Sequence, residues 1–336
     1  MGLISREINN GTIKLLYSSP VKLSQMVLGK YLAMLVFNLC MMAALLIVVV
    51  FASFHIEAID WGLIWAALLG IFLLLSAYAA IGLFMSCLSS YQVVAGIATF
   101  AVFALLKFVG GLWQEYDFLR DLTNYLSISG RTENMIKGLL NTRDVLYYLL
   151  ITALFLCFAW VKLQGERISL SRWLSAGKYF GVLVVVLVIG YFTSTPGYIG
   201  YWDTTRIRMN TLSTNAQETL KSIGNEPLEV TSYVNLLDNT YNNGRPSERN
   251  ADKARWERYL RFKPNIKLNY VYYYDSTRND YVYKSNKGMS LEDLAAKYAK
   301  SYKINLAHFK KPGEIRQAIN LYPEKNRLVR QLKLKG

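Results

Sequence analysis

Lys30 and Lys178 each follow a glycine, and these are the places where a phosphate-cradling loop would be sought in this chain of 336 residues. Neither is such a loop. Tyrosine follows each lysine, and the upstream glycine of the nucleotide-binding pattern is missing from both. GxSxG and HExxH are absent as well, so neither a nucleophile turn nor a helical metal pair is encoded. The two histidines, His55 and His308, lie far apart, and no His/Cys cluster has metal-ligand spacing. Cys40, Cys87 and Cys157 all fall in apolar runs and read as small buried hydrophobes rather than a disulfide framework. Catalysis is not expected, and neither is a cofactor. The residues that could do other work are polar groups beside apolar runs. Foremost are those of residues 6–30, then Lys107 inside an apolar run, where a charge is a functional candidate unless it snorkels.

The elements that must position them are membrane spans. The chain is 53% hydrophobic and 18% charged, with a mean hydropathy of +0.19, which is more apolar and less charged than a soluble chain of this length. Five runs are apolar all round: Met26–Phe54, Trp61–Leu88, Val93–Trp113, Val145–Val161 and Tyr179–Thr195. A helix needs about 20 residues to cross the hydrocarbon core, so each is predicted to span. Gly96, Gly110 and Gly111 could allow close helix packing. Residues 1–22 lack the continuous apolar core of a secretory signal.

Basic residues set the orientation. Arg6, Lys14, Lys22 and Lys30 precede the first span or open it, and Lys162, Arg167, Arg172 and Lys178 lie between the fourth and fifth. The link HIEAID has two acids and no Lys or Arg. The positive-inside bias therefore places residues 1–25 and 162–178 in the cytoplasm, and 55–60, 114–144 and everything after about 196 outside.

Near Pro196 the composition turns polar, and no spanning run follows. LEVTSYVNLL (228–237) and IKLNYVYYYD (266–275) read as strands. SERNADKARWERYLRF (247–262) reads as a helix with Ala251, Ala254, Trp256 and Leu260 as apolar positions, and SLEDLAAKYAKSYKI (290–304) opens with a capping box of Ser290 and Asp293. Strand and helix alternate, which predicts an α/β unit. The chain ends LVRQLKLKG without a closing element, as a truncated domain would. The expected fold is thus an α-helical membrane protein of about five transmembrane helices followed by an extracytoplasmic α/β domain. The parts are 1–25, a cytoplasmic segment; 26–162, the first spans; 163–195, a cytoplasmic link and the fifth span; and 196–336, the outer domain.

Within REINNGTIKLLYSSPVKLSQMVLGK, the order Glu7, Gly11, Thr12, Leu15, Leu16, Ser19, Pro20, Gly29, Lys30 resembles ABC-2-type transporter permeases just before a membrane span. The resemblance implies a cytoplasmic elbow that touches a partner ATPase. Physically, a short helix can dock Ile13, Leu15, Leu16 and Tyr17 in a groove while Lys14 stays wet, and Pro20 stops it. An interfacial helix lying on the bilayer fits the same residues. GLLNTRDVLYYLL is similar to the same family where its last outer loop enters the final permease span, at Gly138, Asp144, Tyr147 and Tyr148. The resemblance covers about residues 5–162 and implies the last four spans of a six-span permease, the first two being absent.

TRIRMNTLSTNAQETLKSI and PLEVTSYV resemble auxiliary proteins of gliding-motility-type ABC transporters, with Arg206, Leu212, Ser213, Leu220 and Pro227 at matching places. KPGEIRQAINL and NRLVRQL fit that family's run less specifically. That resemblance implies an outer domain opening on a helix through Arg206, Leu212 and Ser213. Together these imply a multi-pass subunit of the inner (cytoplasmic) membrane that couples ATP hydrolysis by a separate ATPase subunit to export or to work on an envelope component. A second permease copy, as a homodimer, and the lipid bilayer are the other expected partners. The basic, tyrosine-rich outer segment could suggest nucleic acid, but its expected location argues against that. The competing expectation is a non-transporting scaffold whose outer domain binds an envelope partner.

Overall fold

The computed structural model describes residues 2–315 except 115, 129, 169–170, 196–197, 225–226, 239–240, 278–279 and 303. The chain forms two compact units, Met1–Leu212 and Ser213–Gly336. In the first, two short helices, α1 (Ser5–Asn9) and α2 (Ile13–Ser18), lead into three long ones, α3 (Leu23–Ser53), α4 (Trp61–Leu88) and α5 (Gln92–Phe108). Short helices α6 (Asp117–Leu126) and α7 (Arg131–Ile136) and strand β1 (Leu139–Asn141) precede α8 (Thr142–Ile168), α9 (Arg172–Thr193) and strand β2 (Tyr201–Asp203).

Helices α3, α4, α5, α8 and α9 are each long and apolar enough to cross a membrane. They coincide with the five predicted runs, but α8 continues through Lys162 and Glu166 to Ile168, and α9 starts at Arg172 rather than Tyr179. The chain runs up and down the bundle. One end therefore carries α1, α2 and the α8–α9 link, and we call it the elbow end. The opposite end carries α6, α7 and both strands.

Helix α4 is the axis, packed by α3, α5, α7 and α8. Its most apolar stretch is 61% buried, whereas that of α3 has no buried residue. Small residues explain the difference, because in lipid it is close approach rather than water exclusion that drives helix association. Ala66, Gly70, Ala77 and Ala80 are all buried. Around them Leu73, Ile81, Met135, Tyr147 and Tyr148 form one core, and Ile4, Val27, Tyr31, Leu83 and Leu163 another nearer the elbow end. Of the glycines expected in helix packing, Gly110 fits: a Cβ there would lie 2.8 Å from that of Ser127. A Cβ on Gly96 or Gly111 would meet nothing within 4 Å. Cys40 and Cys157 are exposed on the bundle surface, and only Cys87 is buried. An apolar run alone does not say whether a residue faces lipid or a neighbouring helix.

Strands β1 and β2 pair antiparallel, with Leu139 opposite Asp203 and Asn141 opposite Tyr201. This pairing moves the unit boundary past the composition change near Pro196 to Leu212. The segment 114–144 between the third and fourth spans is largely helix and strand.

The second unit holds α10 (Thr214–Ser222), β3 (Leu228–Asn235), α11 (Tyr241–Gly244), α12 (Arg249–Leu260), β4 (Ile266–Tyr273), α13 (Asp280–Lys284) and α14 (Leu291–Tyr302). Strands β3 and β4 are parallel and in register from Leu228–Ile266 to Asn235–Tyr273, joined by a crossover that includes α12. Val234, Leu236, Tyr241, Tyr274, Ala295 and Ala299 make its core. The α14 cap is as read, with the Asp293 amide donating to Ser290 Oγ at 3.2 Å. Helix α12 differs: Ala251 and Ala254 are exposed, and Trp256 and Leu260 are half-buried. Its hold on the sheet is polar instead. Arg249 lies over the rings of Tyr270 and Tyr272, and Tyr270 donates to Asp252 at 2.7 Å. Residues 316–336, with most of the less specific motifs, lie outside the described residues.

A Cβ on Gly70 would come within 2.7 Å of Met135 Cβ. Gly70→Leu should therefore force α7 off α4, costing about 1–3 kcal/mol as overpacking does, and lower the melting temperature of the detergent-solubilised protein. Gly96→Leu, with open space around it, should leave that temperature unchanged.

Candidate functional site

The elbow is a pair of short helices fastened to three long ones. At its start, the Ile4 and Ser5 amides both donate to Ser86 Oγ of α4 at 2.9 Å. A helix start leaves amides without intrahelical partners, and here a distant hydroxyl takes two of them. Glu7 Oε1 accepts from Lys30 Nζ of α3 at 2.6 Å, and the same ammonium donates to the Leu3 carbonyl at 3.0 Å. Gly11, at φ +72°, makes the left-handed turn between α1 and α2, a conformation that glycine adopts without penalty. The Thr12 hydroxyl donates back to the Glu7 carbonyl at 3.3 Å. The third fastening is Tyr17, whose hydroxyl donates to Glu166 Oε2 of α8 at 3.1 Å. Burial, and then the Glu166 carboxylate, push the Tyr17 phenol well above its ordinary value, so it remains the donor at neutral pH.

Glu7, Gly11, Thr12 and Lys30 are thus brought together as one bonded unit. Leu15 is 71% exposed and Lys14 is exposed beside it. Pro20 and Gly29 are exposed and lie outside that bonded set. The Leu16 side chain lies outside the described residues. Ile13 and Tyr17 correct the expected outward-facing group: Ile13 is buried in the bundle core and Tyr17 is half-buried on α8. Ser86 and Glu166 are missed by sequence reading, since partners about 80 or 150 positions away leave no local signal.

At the far end, Asp144 is 1% exposed and sits at the centre of a polar cluster. Its carboxylate is 2.8 Å from Arg131 Nη1 and accepts from the Asn141 and Asn134 amides at 2.7 and 3.3 Å. The Asp144 amide in turn donates to Asn141 Oδ1 at 2.6 Å. Arg131 lies 3.9 Å from the centroid of the Tyr147 ring and 5.5 Å from that of Tyr125. Tyr147 donates to the Leu126 carbonyl at 2.6 Å, and Tyr148 bonds Thr132 at 2.5 Å. Asp144, Tyr147 and Tyr148 therefore converge to hold α6 and α7 on α8. Gly138 stands beside them at φ +80°, where a Cβ would lie 2.5 Å from Thr205 Cγ2, and its carbonyl accepts both the Thr204 amide and hydroxyl at 2.9 Å. In the sequence nothing separates Arg131, the partner that neutralises Asp144, from Arg120, Lys137 and Arg143 of the same segment.

Arg206, Leu212 and Ser213 do not form one helix. The Arg206 amide donates to Asp60 Oδ2 at 2.7 Å, within the first unit. Leu212 is the last residue of that unit, whereas Ser213 opens the second and caps α10 by accepting from the Ala216 amide at 3.4 Å. Asp203, just before Arg206, organises the turn through residues 205–211. Burial would raise its carboxyl, but donors outweigh it. The Thr205 hydroxyl and amide, the Asn210 amide and the Thr211 hydroxyl hold it below the usual carboxylate range. Among the described residues no group of three His, Cys, Asp or Glu side chains could hold a metal.

Removing one partner of a buried ion pair strands the other, at about 3–5 kcal/mol. Asp144→Ala should lower the melting temperature sharply, and pairing it with Arg131→Met should restore much of the loss. For Asp203 the lowered native pKa means that its contribution is complete above the ordinary value of about 4 and is lost as pH falls through the native one. Hydrogen-exchange protection of the Thr205 and Asn210 amides should decline over that acidic window, and Asp203→Asn should abolish the pH dependence.

A search of the curated proteins and of the solved structures returns no match. Residues 1–195 match the family described as ABC-2 family transporter protein. That match takes in more than half of the chain, including the elbow, the Asp144 cluster and all five long helices. Members of this family are membrane subunits rather than enzymes themselves, and the family implies an ATPase partner and a membrane setting. The chain belongs to the ABC-2 family of transporter proteins.

Proposed function

We propose that this protein is the permease subunit of an ABC transporter in the inner membrane, with the elbow as its ATPase-facing surface. The observation that carries this is the triple fastening of α1 and α2. Ser86 ties them to α4, Lys30 to α3 and Glu166 to α8. A push on so fixed a knob moves three helices together. Meanwhile Leu15 and Lys14 stay free to meet a partner, the apolar-plus-basic pattern a docked helix presents. Glu7 has a different task from direct contact, since its charge is used within the subunit to hold the elbow on α3.

The basic residues of the elbow and of the α8–α9 link support a cytoplasmic elbow end. An odd number of spans then leaves Ser213–Gly336 outside, where it would serve as an auxiliary module of α/β type on an envelope component. An ATPase dimer closing on nucleotide needs a knob at each half, so a second permease copy completes the assembly.

Leu15→Asp should cut the ATPase that co-purifies with the tagged full-length chain about tenfold or more, because burying one leucine contributes about 1.5–3 kcal/mol. Glu7→Lys should also weaken retention, and should lower thermal stability as Leu15→Asp does not. Undiminished retention with Leu15→Asp would overturn the elbow assignment. A wild-type chain that retains no ATPase would favour the scaffold.

A further inference from the structure

At the elbow end, α4, α8 and α9 enclose a cleft of about 560 Å³. Phe84, Leu88, Val161 and Tyr179 give it a mainly apolar lining, while Lys162, Glu166 and Ser175 supply polar groups. There is open space beside Gly165, where a Cβ would meet only the Ser175 hydroxyl, at 3.6 Å. Its depth in the bundle follows from the sequence. Lys162 is the first charge after the apolar part of α8, and Lys178 is the last before that of α9. This is the level at which apolar tails give way to headgroups. Lys162 and Glu166 are the charges that line the cleft, and the nearby Arg167 and Lys178 tip the segment around it to net positive. Lys178 is committed to Gln164 at 2.8 Å. Lys162 lies 3.1 Å from Glu166 Oε1, and its side chain is one-third exposed.

We infer that this cleft binds an anionic phospholipid. Its phosphate would sit on Lys162 with the Ser175 hydroxyl donating, and its upper chain would lie along Phe84, Leu88 and Tyr179. The apolar lining suits a chain, which a free phosphate would leave uncovered, and the excess of cations selects an anionic over a zwitterionic headgroup. Glu166 links the site to the elbow. It accepts from Tyr17 with one oxygen and pairs with Lys162 through the other. A phosphate that draws Lys162 away leaves Glu166 to Tyr17, so lipid occupancy tightens the fastening of the elbow to α8. The inference rests on the proposed orientation only for the leaflet that supplies the lipid.

The test is native mass spectrometry of the detergent-purified full chain, offered equal phosphatidylglycerol and phosphatidylcholine. Wild type should retain phosphatidylglycerol on the order of fivefold better, the effect of about one lysine at a membrane surface. Lys162→Gln should remove the preference, and Gly165→Leu should remove most bound lipid of either kind. Tyr17→Phe, which frees Glu166 to hold Lys162, should reduce the preference but leave part of it. Equal retention of both lipids by wild type, or an unchanged preference in Lys162→Gln, would overturn the proposal. So would displacement of the lipid by millimolar inorganic phosphate. Labelling Ser18→Cys with an impermeant maleimide in sealed cells reads orientation separately: reaction from outside would overturn the cytoplasmic elbow and leave the lipid preference standing.

Discussion

Gly70, Ser76 and Ser86 lie along one helix, and each meets a different part of the protein. Gly70 receives Met135 of α7, the Ser76 carbonyl accepts from Tyr31 of α3, and Ser86 takes the first amides of α1. Between them Ala77 and Ala80 allow the close approach that the cores on either side require. In lipid, apolar bulk gives no preference for a helix over a tail, so small residues and buried hydrogen bonds must decide which faces meet. Several fastenings of the first unit are placed relative to α4, while others are made to α3 and α8. A bulky residue on this strip would displace the elbow or the far-end helices rather than leave a local defect.

The second shared element is α8. Asp144 stands near its start, under α6 and α7, and Glu166 near its end, beside the elbow. At about 1.5 Å of rise per residue these groups lie about 33 Å apart. A continuous helix of that length is stiff, and its Asp144 end is held by a buried ion pair and hydrogen bonds. The pair buried at Asp144 is costly to desolvate, yet the cation over the Tyr147 ring and two asparagine amides leave the carboxylate fully engaged. Such a site specifies one arrangement of α6 and α7 rather than adding net stability.

Much of this was legible in the sequence, for identifiable reasons. Runs of apolar residues announce spans, and the basic clusters beside them distinguish one end from the other. Asp144, Tyr147 and Tyr148 stood out, and the structure draws them into one cluster. Residues 139–141 and 201–203 gave no sign of pairing, because three-residue strands are too short to show alternation. Ile13 looked like part of an outward apolar face, but helical spacing cannot tell which side of a six-residue helix is buried. Ala251 and Ala254 misled for a related reason: α12 is held to its sheet by Arg249 and Asp252, and polar anchoring leaves no apolar stripe.

The glutamate at 166 shows how one group can serve two neighbours. Its two oxygens are divided between a neutral donor and a cation, Tyr17 and Lys162. The phenol cannot compete by losing its proton, since its pKa is raised, so the balance depends on how firmly Lys162 is held. That lysine is partly exposed and belongs to a pair within one turn of helix, a class of contact worth only tenths of a kcal/mol. Any stronger anion at the headgroup level can take it. A weak contact beside the elbow therefore lies where the bilayer itself can act, whereas Ser86 is buried and the Lys30 side chain is less exposed than that of Lys162.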